Sequence, residues 1–328
     1  MEDNSKRMTN GYVRYRINES GVRQIRFIGW YSDLPGLQVF VKKLLVFTFS
    51  LLILFHPLTF SILIMKNIFV SALLVLHFSA FATTNLPIPL SPKQEFYSIR
   101  IYQLKTAEQE ARVEKFLQTA FLPALHRLRI SEVGVFKPVG NDTAAIRRIY
   151  VLIPLRTMEQ LTSLAPSLDK DAQYQTDGKD YLDAPYDNPP YARMESILLQ
   201  AFPDMPQHAV PTALQGPRDQ RIYELRSYEG PTEKYYANKV RMFNEGGEVP
   251  LFKRLGFNAV FYASVIAGSH MPNLMYMTSF DNMTSRDQHW KTFGEDPFWK
   301  QLVAAPEYQH NVSHVDIVFL HPTAYSDL

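Results

Sequence analysis

Cysteine is missing from all 328 residues. Its absence excludes disulfides, thiolate metal sites, cysteine nucleophiles and a lipid-modified cysteine behind a signal segment. It fits an exported protein that needs no oxidative folding, without fixing the compartment. An excess of charge of one sign is missing too: the formal net charge is +2, and Lys and Arg are dispersed among nearly as many acids, so no basic stripe invites nucleic acid. The 14 glycines form no G-x-G-x-x-G or Walker pattern, and no G-x-S-x-G occurs, which removes the phosphate-loop and nucleophile-elbow readings. What is present is 46% hydrophobic and 13% aromatic residues, enough to bury a core in one large domain or two smaller ones.

The first 94 residues differ from the rest. Met65-Lys66-Asn67 opens a basic region, Ile68 to Phe78 is an apolar run, and Ala80-Phe81-Ala82 has the small-x-small form of a cleavage site, so 65–82 reads as a signal peptide. Ahead of it stand a basic, turn-rich stretch and LLVFTFSLLILFHPLTFSILI (Leu44 to Ile64), nearly long enough to span a bilayer although His56-Pro57 interrupts it. Two readings compete. Either 1–64 is a mis-assigned extension ahead of a natural start at Met65, or Leu44 to Ile64 is an anchor that Lys42-Lys43 keeps cytoplasmic at its N-terminal side. Both export the remainder to the periplasm or the exterior. Residues 83–94 are a Pro-rich linker.

From Glu95 onward the chain repeats itself. Tyr97, Arg100 and Tyr102 match Tyr223, Arg226 and Tyr228 at an offset of 126 (223 − 97), and Pro123, Val135-Phe136 and Tyr150 match Pro250, Val260-Phe261 and Tyr276 in the same order. Each copy, 95–204 and 220–322, reads as strand, helix, two strands, helix, strand, the ferredoxin-like order, with 205–219 as connector. Pro123 should bend the first helix, and Gly246-Gly247 should break its counterpart. A four-stranded sheet with helices on one face leaves the other open. Two tandem repeats can cover both open faces at once, so the expected fold is α+β: two ferredoxin-like repeats closing into a pseudo-dimeric α/β barrel.

The repeated opening [FI]-Y-x-[IL]-R-x-Y, together with SRDQHWKTFGEDPFWKQL (Ser285 to Leu302), resembles the NIPSNAP family. Its members carry a Y-E-L-R-x-Y strand and a helix of the form R-x-x-x-W-x-x-F-x-x-D-P-x-W, matched here by Arg286, Trp290, Phe293, Asp296, Pro297 and Trp299. The resemblance implies the dimeric α/β-barrel form of the ferredoxin-like fold. Copy one departs from it, since its second helix has no tryptophan and no D-P-x-W. Relatives of such barrels include cofactor-independent oxygenases, haem-handling enzymes and proteins without a known reaction, so fold alone does not assign activity.

Strand alternation puts Arg100 with Ser98 and Tyr102, and Arg226 with Glu224 and Tyr228. If Tyr97 and the aliphatic positions Ile99 and Ile101 pack under the helices, the arginines point into the barrel, where a permanently charged guanidinium needs a carboxylate or an anionic ligand. Arg226 has Glu224 on its own face; Arg100 has only Ser98. Arg100, Tyr102, Arg226, Tyr228 and Trp290 are therefore the candidate ligand-binding residues, competing with plain internal pairing and core packing. His289 is the candidate acid–base group by residue type, and an exposed histidine is the competing reading. His310 and His314 have i, i+4 spacing but straddle the start of the last strand, so no metal is expected; nor is a cofactor. Three functions stay open: a binding protein for a small aromatic or anionic molecule, a monooxygenase-like enzyme without cofactor, and a structural or interaction module. The partners this allows are a small molecule and a second copy of the chain, with membrane contact only through 44–64.

Overall fold

The computed structural model describes residues 93–328 in full and, before them, the backbone of three antiparallel strands, Ser5–Met8, Gly11–Ile17 and Arg23–Ile28, in a stretch whose sequence reads as turn-rich. The signal segment, the apolar run and the linker expected over 44–92 lie outside the described residues. Among the described residues no helix is long and apolar enough to cross a membrane. The chain divides into units 1–88 and 89–328, and the second holds both repeats.

Copy one comprises β1 (Phe96–Leu104), α1 (Ala107–Phe116), α2 (Leu122–Arg127), β2 (Gly134–Pro138), β3 (Arg147–Leu155), α3 (Met158–Asp169), two short helices α4 (Ala172–Asp177) and α5 (Lys179–Leu182), and β4 (Arg193–Ala201). Copy two comprises β5 (Ile222–Glu229), α6 (Glu233–Phe243), α7 (Glu248–Arg254), β6 (Ala259–Ala267), β7 (Asn273–Phe280), α8 (Met283–Glu295), α9 (Pro297–Ala304) and β8 (His314–Pro322). Side-chain caps start the principal helices at matching places: Thr106 and Thr232 accept from the backbone N–H groups of Gln109 and Tyr235, and Thr157 and Asn282 do the same for α3 and α8.

Both breaks expected in the first helices occur. Between α1 and α2 the residues Leu117–Phe121 form a wider π turn. Pro123 has no N–H to give and its ring presses on the carbonyl four residues back, so the loosened turn ahead of it relieves the clash. In copy two the helix stops before Gly247, whose φ of +83° suits glycine, and α7 restarts there.

All eight strands close into one antiparallel barrel in the order β7-β5-β8-β2-β3-β1-β4-β6. Within each copy the order is the ferredoxin-like one, and the last strand of each copy pairs with the second strand of the other: β8 joins β2 through Leu320–Pro138 and Pro322–Phe136, and β4 joins β6 through Leu199–Val265 and Ala201–Ala263. Closure leaves no unpaired sheet edge in either copy.

One expectation is reversed. Tyr97, Ile99, Ile101, Tyr223, Leu225 and Met277 belong to a single buried cluster drawn from both copies, which is the barrel interior. The opposite faces of the two sheets pack under their own helices, as two further clusters around Phe121 and around Phe252. Arg100 and Arg226 are on those helix-facing sides, not in the lumen. Alternation decides which residues share a face; it does not decide which face turns inward. A lumen enclosed by strands offers a guanidinium few partners, whereas a helix laid over the sheet brings carboxylates, indoles and hydroxyls down onto it.

Candidate functional site

Glu224 is the centre of the copy-two arrangement. It has no exposure to solvent, and three side chains donate to its carboxylate. Arg226 Nε lies 2.6 Å from Oε1, Arg286 Nε and Nη2 lie 2.8 Å and 2.9 Å from the two oxygens, and Trp290 Nε1 lies 2.7 Å from Oε2. Arg286 and Trp290 share the sheet-facing side of α8, four residues apart, so one helix turn delivers both to a strand 62 positions away in sequence. Burial pushes the Glu224 carboxyl up, but the Arg286 hydrogen bond, the Arg226 charge and the Trp290 N–H outweigh it, and the group is held below the usual carboxylate range.

The network continues outward from Arg226. Its guanidinium carbon sits 3.7 Å over the Trp290 ring, its Nη1 donates to the Tyr228 hydroxyl at 3.0 Å, and that hydroxyl shares a hydrogen bond with the Tyr276 hydroxyl at 2.8 Å. Beside it, Lys239 and Glu248 pair at 2.8 Å, both buried. Burial raises the Glu248 carboxyl, and the Lys239 charge and hydrogen bond offset only part of that rise. Copy two thus brings the candidates Arg226, Tyr228 and Trp290 together around an internal carboxylate that already pairs with the cations.

The second half of the tryptophan motif is structural. Asp296 caps α9 through the N–H groups of Phe298 and Trp299, holds Arg254 through both carboxylate oxygens at 2.9 Å and 3.0 Å, and has Pro297 behind it in the first turn. His289 does not join the network. Its Nδ1–H donates to the Ser285 carbonyl at 2.7 Å, and its ring packs on Phe257 and Phe280.

Copy one keeps the tyrosine beside its arginine, Tyr102, but lacks the carboxylate and the tryptophan that answer Arg226. Ser98 stands where Glu224 stands in copy two; it is 2% exposed, and its hydroxyl has no hydrogen bond among the described residues. Arg100 is partly buried, lies 4.9 Å over the Phe121 ring, and no described carboxylate comes within salt-bridge distance of it. Instead of a tryptophan helix, the chain between α3 and β4 lays tyrosines nearby. Tyr181 stacks on Phe116 at 3.7 Å, and Tyr191 meets Tyr102 edge-on at 5.6 Å. The Tyr174 hydroxyl is pushed up to about 12 by burial and by Tyr102, with the Arg100 charge acting against the rise. This segment between α3 and β4 thus brings Tyr174 close enough to feel the Arg100 charge.

A concavity of about 270 Å³ opens elsewhere in copy one, lined in part by Arg129, Arg156, Glu95, Glu132 and His208. His208, from the connector between copies, bridges Glu95 at 2.8 Å and Glu132 at 2.6 Å through its two ring nitrogens. Burial lowers the imidazole, but the two carboxylates more than reverse that and hold it above its ordinary value. Sequence reading missed this group because its members are 113 and 76 positions apart and share no motif.

Residues 223–327 match the family model of NIPSNAP. Among solved structures the chain is similar to a NIPSNAP family protein of Agrobacterium tumefaciens (18% identity, 35% of this chain and 96% of that one, TM-score 0.30). It is also similar to an uncharacterized NIPSNAP-like domain protein of Burkholderia xenovorans (15% identity, 33% and 90%, TM-score 0.30). Across both copies it is similar to a Fusobacterium nucleatum protein named as a candidate monooxygenase (7% identity, 70% and 93%, TM-score 0.45). No curated protein matches the chain significantly.

Proposed function

We propose, from the match of residues 223–327 to the NIPSNAP family model, an exported binding protein that holds a small aromatic anion in copy one, against Arg100. The observation that supports this is the difference between the two arginines. Arg226 has Glu224; Arg100, partly buried on an aromatic ring, has only Ser98 and a set of tyrosines. A ligand carboxylate would supply the charge that copy one lacks, and its ring would lie among Phe121, Tyr102 and Tyr191, a mixed apolar and hydroxyl lining suited to an aromatic acid. Nothing in the placement of His289 joins it to Arg100, so the reading stops at binding. Export rests on the sequence pattern of 65–82.

The test uses 4-hydroxybenzoate as probe, titrated calorimetrically into the purified full chain, alongside native mass spectrometry for any molecule retained through purification. Saturable binding that falls at least about tenfold in Arg100→Gln, and equally in Ser98→Glu, which imports the copy-two carboxylate, is the expected result. Binding that survives both changes, or that is lost only in Arg156→Ala at the concavity, overturns the assignment. N-terminal sequencing checks the export reading: the expected mature start is Thr83, and a retained Leu44 to Ile64 refutes cleavage.

A further inference from the structure

We propose that one mouth of the barrel, at the C-terminal end of β5, binds a divalent transition-metal ion through Glu229, His270 and Asp316. The topology assembles these donors from three places. Glu229 is the last residue of β5 and shares its lumen-facing side with Tyr223 and Leu225. On the neighbouring β8, His314 lies opposite Glu229 and Asp316 opposite Ser227, so both face the same way. His270 comes from the connection between β6 and β7, held at a φ of +64° that a non-glycine residue seldom adopts.

The spacing suits an ion. One ligand atom from each of the three residues lies within 4.8 Å of the others. His270 Nδ1 is already 2.9 Å from Glu229 Oε1. Metal–ligand distances of about 2.0–2.2 Å place neighbouring donors roughly 2.9–3.5 Å apart, so this pair stands at coordination distance, and the exposed Asp316 carboxylate, within 4.8 Å of both, is free to close on an ion.

Two further observations point to a missing cation. Glu229 Oε1 is shut off from solvent, yet among the described residues no hydrogen bond reaches it, although His270 Nδ1 lies 2.9 Å away. Directly across from Glu229 in the β5–β7 register is Asn273, only 3% exposed; its amide N–H donates to Ser227 Oγ at 2.8 Å while its Oδ1 has no partner among the described residues. Two buried acceptor oxygens on adjacent strands at one end of a lumen gain from positive charge. His314 Nε2, 3.1 Å from Asp316 Oδ1, is placed to orient that carboxylate, as hydrogen-bonding partners of metal ligands do. His310, its i, i+4 neighbour in sequence, is not among the donors. One imidazole and two carboxylates favour zinc-like ions over magnesium or calcium, and three protein ligands leave coordination positions for water.

The site is independent of the ligand reading at Arg100, which belongs to the other copy and the other face of the sheet. Its test is calorimetric titration of ZnCl₂ into the chelator-treated, untagged full chain at pH 7.5. We expect one equivalent to bind and millimolar MgCl₂ to leave the titration unchanged. We expect affinity to fall at least about tenfold in His270→Ala and in Asp316→Asn, to fall measurably in His314→Ala, and to hold in His310→Ala. The side chains of His270, His314 and Asp316 are all more than half exposed, and circular dichroism checks that the variants keep the fold. No saturable Zn²⁺ binding, equal competition by Mg²⁺, or affinity unchanged in both His270→Ala and Asp316→Asn overturns the proposal.

Discussion

Replacing Glu224 by glutamine removes one charge and keeps the shape, which makes it the sharpest probe of the copy-two network. The carboxylate accepts from Arg226, Arg286 and Trp290 with no exposure to solvent. In Glu224→Gln the two guanidinium groups remain, both within cation–π distance of Trp290, at 3.7 Å and 5.6 Å, with no carboxylate between them. The amide also turns a donor toward one of them. Breaking a buried pair by removing one partner costs about 3–5 kcal/mol, a large share of the roughly 5–15 kcal/mol that keeps an ordinary domain folded. Urea unfolding, followed by tryptophan fluorescence because Trp290 is itself in the network, should show an unfolding free energy lowered by that amount at pH 7. The triple change Glu224→Leu/Arg226→Met/Arg286→Leu, which removes the carboxylate and both guanidinium groups that bind it, should lose less than Glu224→Gln. The sign with pH comes from the depressed carboxyl: its stabilisation is present above its ordinary value of 4.5 and is lost as pH falls through the lower folded value. Glu224→Gln should therefore lack that part of the acid limb. A loss under about 1 kcal/mol, or an acid limb unchanged from the parent chain, would refute the view that the two family motifs meet at a buried carboxylate.

Two further outcomes can be checked in the same way. The imidazole of His208 is raised in the folded chain and the carboxyl of Glu95 is lowered, so the tie between connector and copy one should be strongest between about pH 4.5 and 6.5, weakening above as His208 deprotonates and below as Glu95 protonates. In His208→Gln the stability–pH curve should be flatter above pH 6.5 than in the parent, and an unchanged curve refutes the assignment. Asp296→Ala should cost about 1–2 kcal/mol by denaturant unfolding, since it deletes the α9 cap and the exposed Arg254 pair contributes little beyond it, and a loss below about 0.3 kcal/mol would refute the cap's role.

Much of the architecture is legible in the chain. The repeat at a nearly constant offset, the alternating strands and the proline and glycine breaks give the element order, because each of these signals is local and the physics behind it is local too. The Asp296-Pro297 cap is readable for the same reason. The pairing of Arg226 with Glu224 is visible as two side chains on one strand face. Its completion by Arg286 and Trp290 is not, although both belong to a visible motif, since contact between a strand and a helix 60 positions on depends on packing. His208 with its two glutamates leaves no signal at all.

By itself the sequence determined that the chain folds as two copies of one plan, and that one copy keeps an acid beside its arginine while the other has a serine. Only the tertiary structure decided which sheet face closes inward. The barrel encloses the tyrosine and aliphatic face from both copies, leaving the arginines to the helices that carry groups able to answer their charge, or, above Arg100, tyrosines that carry none. Period-two alternation is symmetric between the two faces of a strand, and that symmetry is broken only when the second layer arrives.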